Sequence, residues 1–234
     1  MAIKFDGTGD NITFGDILDF ERTDTFSVEF WMKTTTAAND CIIGKFQDNG
    51  GTRGWRCETE ASAANALDFT LTSTFSTNDI QVSFRTANVN DGVWHHIAWT
   101  YTGSSLASGF TMYKDGTSQS LTTVYDNLTA TTVNAIALRI GARSATAVLF
   151  YTGDLDEVRV WNTTRTAAEI QSNRWKRIAG NETGLVGYWR LDDFGGGNGN
   201  VATSAVSFLS TGGTNGTVEG NPLNSDSAPI NYGD

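Results

Sequence analysis

Residues 150–170 read Phe-Tyr-Thr-Gly-Asp-Leu-Asp-Glu-Val-Arg-Val-Trp-Asn-Thr-Thr-Arg-Thr-Ala-Ala-Glu-Ile, and their pattern predicts a β-strand followed by an α-helix. From Leu155 to Trp161 the side chains alternate, so Asp156, Val158 and Val160 should share one face of the strand. Two of these three residues are apolar and β-branched, which suits a pleated, half-buried surface. We therefore predict a strand whose valines lie in the interior.

After this strand the pattern changes to one typical of a helix. Thr166 and Glu169 have the spacing of a capping box, in which each side chain accepts a hydrogen bond from a backbone N–H at the start of a helix. Gly180 is the predicted end, because glycine is favoured just beyond the last helical turn. The sequence therefore predicts a single helix directly after the strand.

Five stretches together resemble one known family. The run Gly153–Asn162, followed by Arg165–Ile170, resembles the signature of the laminin-G-like group of concanavalin A-like jelly rolls, which also contains the pentraxins. Four other stretches agree with that family in the same order: Phe5–Ile12, Phe26–Lys33, Asp91–Tyr101 and Gly184–Asp193. The resemblance implies an all-β fold, a two-sheet antiparallel jelly-roll sandwich with one short helix after the Asp154–Trp161 strand. This fold hosts lectins, adhesion modules, hydrolases and structural domains, so it does not imply one activity.

The composition is that of one large β domain with many turns. The chain has 234 residues, 25 glycines and two prolines, and sandwiches of about 200 to 250 residues fold as single units. We assign residues 1–193 to the jelly roll. Residues 194–234 form a Gly/Ser/Thr/Asn-rich C-terminal tail with a short strand candidate at 206–209. We expect the tail to be an edge strand, an arm that contacts another subunit, or a linker.

The charge balance excludes some classes of partner. Sixteen Lys and Arg residues against 26 Asp and Glu residues give a net charge of −10, which repels nucleic acid and anionic membranes. No stretch approaches the roughly 18 apolar residues of a membrane span, and no signal peptide follows Met1. We expect neither nucleic acid nor a membrane as partner. The localisation stays open, with a virion surface or the extracellular space as the expected alternatives.

Two cysteines flank a predicted hairpin. Folding the chain about Asn49, in the polar turn at 48–51, places Cys41 opposite Cys57. Directly opposed residues lie about 4.5 to 5.5 Å apart at Cα, so the pair is a disulfide candidate. Two cysteines are too few for a disulfide framework, and reduced thiols are the open alternative. A register change of one residue would remove the opposition.

Trp31 and two histidines have structural interpretations. Trp31 falls on the polar face of the Phe26–Lys33 strand, where we expect a loop or a second layer to cover it. His95 and His96 are adjacent on a strand and point to opposite faces, so they cannot converge on one metal ion or substrate. We expect each of them to be a hydrogen-bonded core or interface histidine.

The sequence lacks the motifs of enzymes with this fold. A retaining glycosidase needs two carboxylates about 5 Å apart, usually with a third acid in a Glu-x-Asp-x-x-Glu strand, and no such triplet occurs. Glu58 and Glu60 alternate suitably but have no third partner, and Asp154–Glu157 places its glutamate on the face opposite its aspartates. We therefore predict that the protein is not an enzyme.

The family resemblance also implies a structural calcium ion. Related jelly rolls often hold a cation through an aspartate that corresponds to Asp156 and through backbone oxygens near the N-terminal strand and the Ile43–Gly44 corner. The implied ligands are therefore Asp156, Asp6 and a backbone oxygen at Gly44, consistent with the preference of Ca²⁺ for oxygen. In the alternative, Asp156 accepts hydrogen bonds from turn amides without a metal.

Two function classes follow from these features. The first is a non-catalytic recognition or adhesion module that binds a glycan or a protein surface through rim loops, where Tyr125 and Tyr151 are the main aromatic residues. The second is a structural virion surface protein, such as a phage decoration or fibre component, that forms a homo-oligomer or a particle lattice. A glycoside hydrolase is a third, minor alternative.

Overall fold

The computed structural model describes residues 1–47, 52–61, 66–86, 88–143, 148–192, 204–205, 213–226 and 228–229. The elements in these residues, in chain order, are β1 (Ala2–Asp6), β2 (Asn11–Thr13), β3 (Phe26–Lys33), β4 (Cys41–Phe46), β5 (Gly54–Glu60), β6 (Ala66–Thr74), β7 (Asn78–Phe84), β8 (His95–Tyr101), a 3-10 helix (Ala107–Gly109), β9 (Phe110–Lys114), β10 (Thr117–Gln119), β11 (Thr122–Asp126), β12 (Arg139–Ile140), β13 (Thr152–Trp161), α1 (Ala167–Asn173), β14 (Leu185–Trp189), β15 (Ser204–Ala205), β16 (Gly216–Glu219) and β17 (Leu223–Ser225). The turn predicted at 48–51 and the strand candidate at 206–209 lie outside the described residues.

The described strands form two antiparallel sheets that pack face to face. Sheet I has the order β10-β9-β8-β3-β13-β1-β17, with β14 also paired to β13. Sheet II has the order β11-β7-β6-β5-β4-β12-β2-β16-β15. Each sheet is apolar on its inner face because side chains alternate along every strand, and stacking buries both apolar faces. The predicted two-sheet jelly-roll sandwich is confirmed.

Strands beyond residue 193 pair with strands from the N-terminal part of the chain. β17 pairs with β1 at the edge of sheet I, and β16 pairs with β2 in sheet II. Trp189 Nε1 donates to the Thr214 carbonyl at 2.9 Å, and Asn221 N donates to Asp10 at 2.7 Å. The strands described in the 194–234 segment are therefore shared between the two sheets.

The inner faces of the two sheets share one continuous core. Phe69 lies among aromatic rings, with centroid distances of 6.1 Å to Trp55, 5.7 Å to Trp99 and 5.2 Å to Phe110. Val158 and Val160 are in this core, 1% and 0% exposed, as predicted. Apart from Arg159, the largest fully buried side chains are all aromatic, and burying such large side chains stabilises the sandwich.

A β-bulge in β13 changes the predicted facing of its residues. Asp156 lies opposite Trp31 and Arg159 lies opposite Glu29, so two residues of β13 face one residue of β3. Glu157 in the bulge has φ +50°. The prediction that Asp156 shares a face with the valines is therefore wrong, because the extra residue shifts the alternation.

The same bulge corrects the predicted position of Glu157. Its Oε2 accepts from Arg159 Nη2 at 2.6 Å and from the Tyr188 hydroxyl at 2.9 Å, both on the outer side of sheet I. Glu157 therefore lies on the same side as Asp156, where the simple alternation predicted opposite sides. The carboxylate is buried but paired, which is the arrangement that an ionised group requires away from water.

Helix α1 packs on the outer face of sheet I. It begins with the predicted capping box of Thr166 and Glu169, but it ends at Asn173 and not at Gly180. Arg159 Nη1 donates to the Asn173 carbonyl at 3.1 Å. A side chain of the sheet therefore satisfies a carbonyl that would accept from a backbone N–H if the helix continued. No helix within the described ranges is long and apolar enough to span a membrane.

The segment after α1 covers Trp31, as predicted. Trp31 is 1% exposed, its Nε1 donates to the Arg174 carbonyl at 2.9 Å, and its ring lies 4.4 Å from the ring of Trp175. The indole therefore joins sheet I to the helical segment and has no exposed face for a ligand.

Candidate functional site

The outer face of sheet II carries a groove of about 210 Å³ across β5, β6 and β7. Most of its lining side chains are polar or aromatic, and we call seven of these the groove residues: Arg56, Glu58, Glu60, Asp68, Phe75, Gln81 and Arg143. Those on the three strands alternate with core residues such as Cys57 and Val82, so the alternation that builds the core also points the polar groups outward.

The strand register arranges the groove's polar groups in rows. Glu58 on β5 lies opposite Asp68 on β6, and Thr70, the next outward residue of β6, lies opposite both Arg56 and Gln81. Directly opposed residues have Cβ atoms about 4.5 to 5.5 Å apart. Asp68 therefore faces Glu58 from the neighbouring strand, a position that the search for a carboxylate triplet within one strand does not address.

Arg56 lies at the centre of the groove. It is 4% exposed, and its guanidinium lies 4.0 Å from the ring centroid of Phe46 and 4.8 Å from that of Phe75. Gly44 on β4 makes room for it, since a Cβ there would lie 2.9 Å from the Cβ of Arg56. Nε pairs with Glu58 at 2.7 Å, whereas Nη1 is buried without a hydrogen-bond partner. An unsatisfied buried donor is costly, so a ligand oxygen at Nη1 would be stabilising.

The acidic groove residues are held by neighbouring side chains. Gln81 Nε2 donates to Asp68 Oδ2 at 2.6 Å, and burial raises the pKa of Asp68. Glu58 Oε1 lies 3.8 Å from Arg143 Nη1. Because these groups are partly removed from water, their hydrogen bonds to a ligand would be stronger than at a fully exposed surface.

Aromatic rings border one side of the groove. Phe75 and Tyr125 are half-buried, with centroids 6.2 Å apart and planes at 76°. Tyr125 lies on the edge strand β11. Tyr151, the other aromatic residue predicted at a rim loop, is fully buried in the core beside Phe5. That prediction is wrong for Tyr151, and the aromatic surface at this site comes from Phe75 and Tyr125.

The groove combines charged donors, charged acceptors and apolar ring faces within one small volume. Guanidinium groups donate hydrogen bonds and carboxylates accept them. A ligand hydroxyl, which can do both, could therefore accept from an arginine and donate to a carboxylate. The aromatic rings offer a flat apolar surface to the C–H groups of the same ligand. This combination suits a polyhydroxylated ring.

Sequence reasoning did not single out most groove residues: Arg56, Asp68, Phe75, Gln81 and Arg143. A usable signal was present, because the outward positions of residues 54–60, 66–74 and 78–84 are polar on three successive strands. The signal gains meaning only when the pairing register is known, since register decides which polar residues are neighbours.

A laminin G family model, described as the concanavalin A-like lectin/glucanases superfamily, matches residues 6–171. The chain belongs to this superfamily. The resemblance inferred from the sequence motifs is therefore confirmed. No curated protein matches the sequence.

Several solved structures have similar folds. A proposed carbohydrate binding protein from Bacteroides ovatus superposes with a TM-score of 0.66 at 19% identity, covering 99% of this chain and 61% of that one. A heptameric SAP-like pentraxin from Limulus polyphemus superposes with a TM-score of 0.52 at 16% identity, covering 73% of this chain and 79% of that one. Domains LG4-5 of the mouse laminin alpha1 chain give 0.51 at 16% identity, covering 71% and 43%. At these identities the likeness shows the fold, and the chain spans less than two thirds of the Bacteroides protein.

The three residues implied as calcium ligands do not lie together in this member of the superfamily. Asp6 is opposite Thr152, which precedes Asp156 by four positions on β13, or by about 13 Å at 3.3 Å per residue. Gly44 is on sheet II, opposite Arg139. Among the described residues no group of three His, Cys, Asp or Glu side chains could hold a metal ion. These residues do not fit one shared calcium site, and calcium binding stays a prediction.

Each of the two aspartates instead accepts a backbone hydrogen bond. Asp6 Oδ1 accepts from Thr8 N at 2.6 Å within the turn after β1. Asp156 Oδ1 accepts from Glu157 N at 3.0 Å, and burial raises the pKa of Asp156 well above its usual value. Asp6 therefore caps the turn after β1, and Asp156 accepts from the backbone of its own bulge.

The two cysteines are free and buried. Cys41 lies opposite Glu58 and Cys57 lies opposite Ile43, because β4 has an irregularity between Cys41 and Ile43. The prediction that Cys41 faces Cys57 is wrong for this reason. Burial raises the pKa of both thiols well above the usual range, so neither is a reactive thiolate at neutral pH.

Proposed function

We propose that the protein is a non-catalytic carbohydrate-binding module and that the groove of sheet II is its binding site. The observation that supports this most directly is the buried Arg56, whose Nη1 has no protein partner and lies among carboxylate, amide and aromatic groups. The superfamily contains lectins by its description, and the most fully superposed of the structures named above is described as a proposed carbohydrate binding protein. Recognition or adhesion would follow from glycan binding.

The groove would recognise a sugar through complementary hydrogen bonds and one stacked face. Glu58 and Asp68 would accept from ring hydroxyls, and Arg56 Nη1 would donate to a hydroxyl or ring oxygen. Phe75 would pack against the C–H face of the sugar ring. The protein groups are already positioned by the strand register and by each other, so binding would cost little side-chain ordering.

This proposal is tested by glycan-array binding followed by calorimetric titration of the best glycan. Phe75→Ala should weaken binding about 2- to 12-fold, since an aromatic contact contributes about 0.5 to 1.5 kcal/mol. Gln81→Ala should weaken it by a similar factor, because it removes the donor that holds Asp68. The matched control is Gln119→Ala, a half-buried glutamine on β10 of the other sheet, which should leave affinity unchanged.

Three outcomes would count against this proposal. If both groove variants bind the glycan as tightly as the wild type, the groove is not the site. If no glycan on the array binds, the protein is not a carbohydrate-binding module of the proposed kind. If the bound polysaccharide is cleaved and Glu58→Gln abolishes cleavage, the opposition of Glu58 and Asp68 makes the protein a glycoside hydrolase.

The virion-surface alternative has no observation in its favour here and stays a prediction from the sequence. The same holds for a homo-oligomer or particle lattice. The pentraxin named above is described as heptameric, which is a property of that protein.

A further inference from the structure

A second cavity lies on the outer face of sheet I, where β1 and β3 end and β13 begins. Its volume is about 480 Å³, within the roughly 300 to 1,000 Å³ of small-molecule sites. We call it the rim cavity, and its polar lining includes Lys4, Asp6, Lys33, Thr35, Thr152 and Asp154. Because the groove is on sheet II, a ligand in the rim cavity would not compete with one in the groove.

A nearly buried carboxylate lies between two lysines in this cavity. Asp154 is opposite Lys4 on β1 and opposite Lys33 on β3, so charges of alternating sign occupy three neighbouring strands. Asp154 is 8% exposed, and its Oδ1 has no hydrogen-bond partner. Ser225 forms a hydrogen bond with the Asp154 carboxylate, but Oδ1 still lacks a partner. A buried acceptor in this state is stabilised by any ligand that brings a donor to it.

The alternation of charge restricts the chemistry of the ligand. Neighbouring strands are about 4.8 Å apart, so the backbones of the two lysines are separated by about 10 Å with the aspartate between them. A cation at Asp154 would be repelled by both ammonium groups, and a purely anionic ligand would be repelled by the carboxylates of Asp154 and Asp6. A ligand with hydroxyl donors and one anionic group on the same small ring would bring a donor to Asp154 and an acceptor to the two lysines.

We propose that the rim cavity is a second carbohydrate subsite that takes an acidic sugar unit. A ring hydroxyl would donate to Asp154, and the sugar carboxylate would accept from Lys4 and Lys33. The hydroxyls of Thr35 and Thr152 would add neutral hydrogen bonds. The class of ligand rests on the proposed carbohydrate-binding function, whereas the location rests on the cavity itself. A molecule with sites on both sheets would bind two glycan chains at once.

The test uses galacturonic acid as the probe and galactose as its neutral counterpart. Backbone amide chemical shifts of the full chain are followed during titration with each sugar. Galacturonic acid should shift the amides of Thr152 and Gly153 in a saturable way, and galactose should bind at least 10-fold more weakly. The double variant Lys4→Gln/Lys33→Gln should lose at least 10-fold in affinity for galacturonic acid. Lys176→Gln, an exposed lysine after α1, is the matched control and should bind like the wild type.

Several results would overturn the rim-cavity proposal without touching the groove proposal. One is equal affinity of the double variant and the wild type for galacturonic acid. Another is a loss of the Thr152 and Gly153 shifts in Phe75→Ala, which would place the acidic sugar in the groove. A third is that calcium alone shifts the amides of Thr152 and Gly153 as much as galacturonic acid does, and that a chelator abolishes sugar binding. That result would make the cavity a cation site. Failure of the groove proposal would look different. The groove variants would then keep their affinity for the array glycan, while galacturonic acid would still shift the amides of Thr152 and Gly153.

Discussion

His95 and His96 are neighbours in sequence, yet their surroundings shift their pKa values in opposite directions. His95 Nδ1 lies 2.8 Å from Asp115, and its Nε2 lies 3.2 Å from Asp91. The hydrogen bond to Asp115 raises the pKa of His95, although burial acts in the other direction. His96 points to the outer face of sheet I beneath the helical segment, 3.5 Å from Glu29, and burial lowers its pKa. His95 is a hydrogen-bonded histidine, as the sequence predicted, and His96 is buried beside the carboxylate of Glu29.

At this scale we predict a pH-dependent effect of His95→Gln on the free energy of unfolding. Because the pKa of His95 is raised on folding, its imidazolium contributes stability that is present below the unfolded pKa of about 6.5 and is lost as the pH rises through the folded pKa. Urea unfolding should show a loss of about 1 kcal/mol at pH 6 and a smaller loss at pH 9.

His96→Gln provides the contrast for that measurement. Because burial lowers the pKa of His96, the unfolded chain binds the proton more readily, and the wild type gains stability from this residue as the pH rises. The difference between wild type and His96→Gln should therefore grow from pH 6 to pH 9. If the difference in unfolding free energy between wild type and His95→Gln also grew from pH 6 to pH 9, His95 would not be a residue that stabilises the fold in its protonated form.

The start of helix α1 is set by its local sequence, whereas its end is set by contacts with sheet I. The capping box sets where α1 begins, because its donors and acceptors all lie within four residues of each other. The end of α1 depends instead on Arg159 and Trp31 of the sheet, whose donors bind the carbonyls of Asn173 and Arg174. The start is therefore a property of the local sequence, and the end is a property of the packed sheet.

At the element scale, Thr166→Ala should destabilise the protein by about 1 kcal/mol, since it removes the side-chain acceptor for the Glu169 N–H. Thr166→Ser keeps an equivalent hydroxyl and should stay within a few tenths of a kcal/mol of the wild type. Denaturant unfolding of both variants measures the difference. Equal stabilities for the alanine and serine variants would show that the cap contributes nothing.

The whole molecule depends on strands from both ends of the chain. β1 and β2, near the N-terminus, pair with β17 and β16, near the C-terminus, so the two ends close the same side of the sandwich. Arg139 also pairs with Glu219 at 3.0 Å across this region. An N-terminal strand left without its C-terminal neighbour would present unpaired N–H and C=O groups, which favour aggregation.

At the scale of the molecule, we predict that a chain ending after residue 192 is strongly destabilised. It would lose the strand pairings and three tertiary contacts, Trp189 to Thr214, Asp10 to Asn221 and Arg139 to Glu219. At about 1 kcal/mol for each contact, the loss should be at least about 3 kcal/mol. Thermal unfolding with size-exclusion chromatography measures stability and aggregation. A chain ending after residue 229 is the control, and equal melting temperatures for the two would contradict the prediction.

Much of the fold could be predicted because its signals are local or depend on order along the chain. Alternation in 150–170 predicts a strand with buried Val158 and Val160, and the Thr166 and Glu169 spacing predicts the start of the helix. The succession of family-like stretches predicts the arrangement of sheets. The groove could not be predicted in the same way, since its charged residues come from separate strands and have no shared motif.

The sequence by itself determined the class of the fold, the central strand and the start of α1, because these depend on side-chain periodicity and on hydrogen bonds between near neighbours. Only the tertiary structure decided the facing of Asp156, the offset of Cys41 from Cys57 and the meeting of Glu58 with Asp68. The physical reason is register. One extra residue in a strand reverses which side chains face the core, and pairing across strands brings together groups that no local pattern connects.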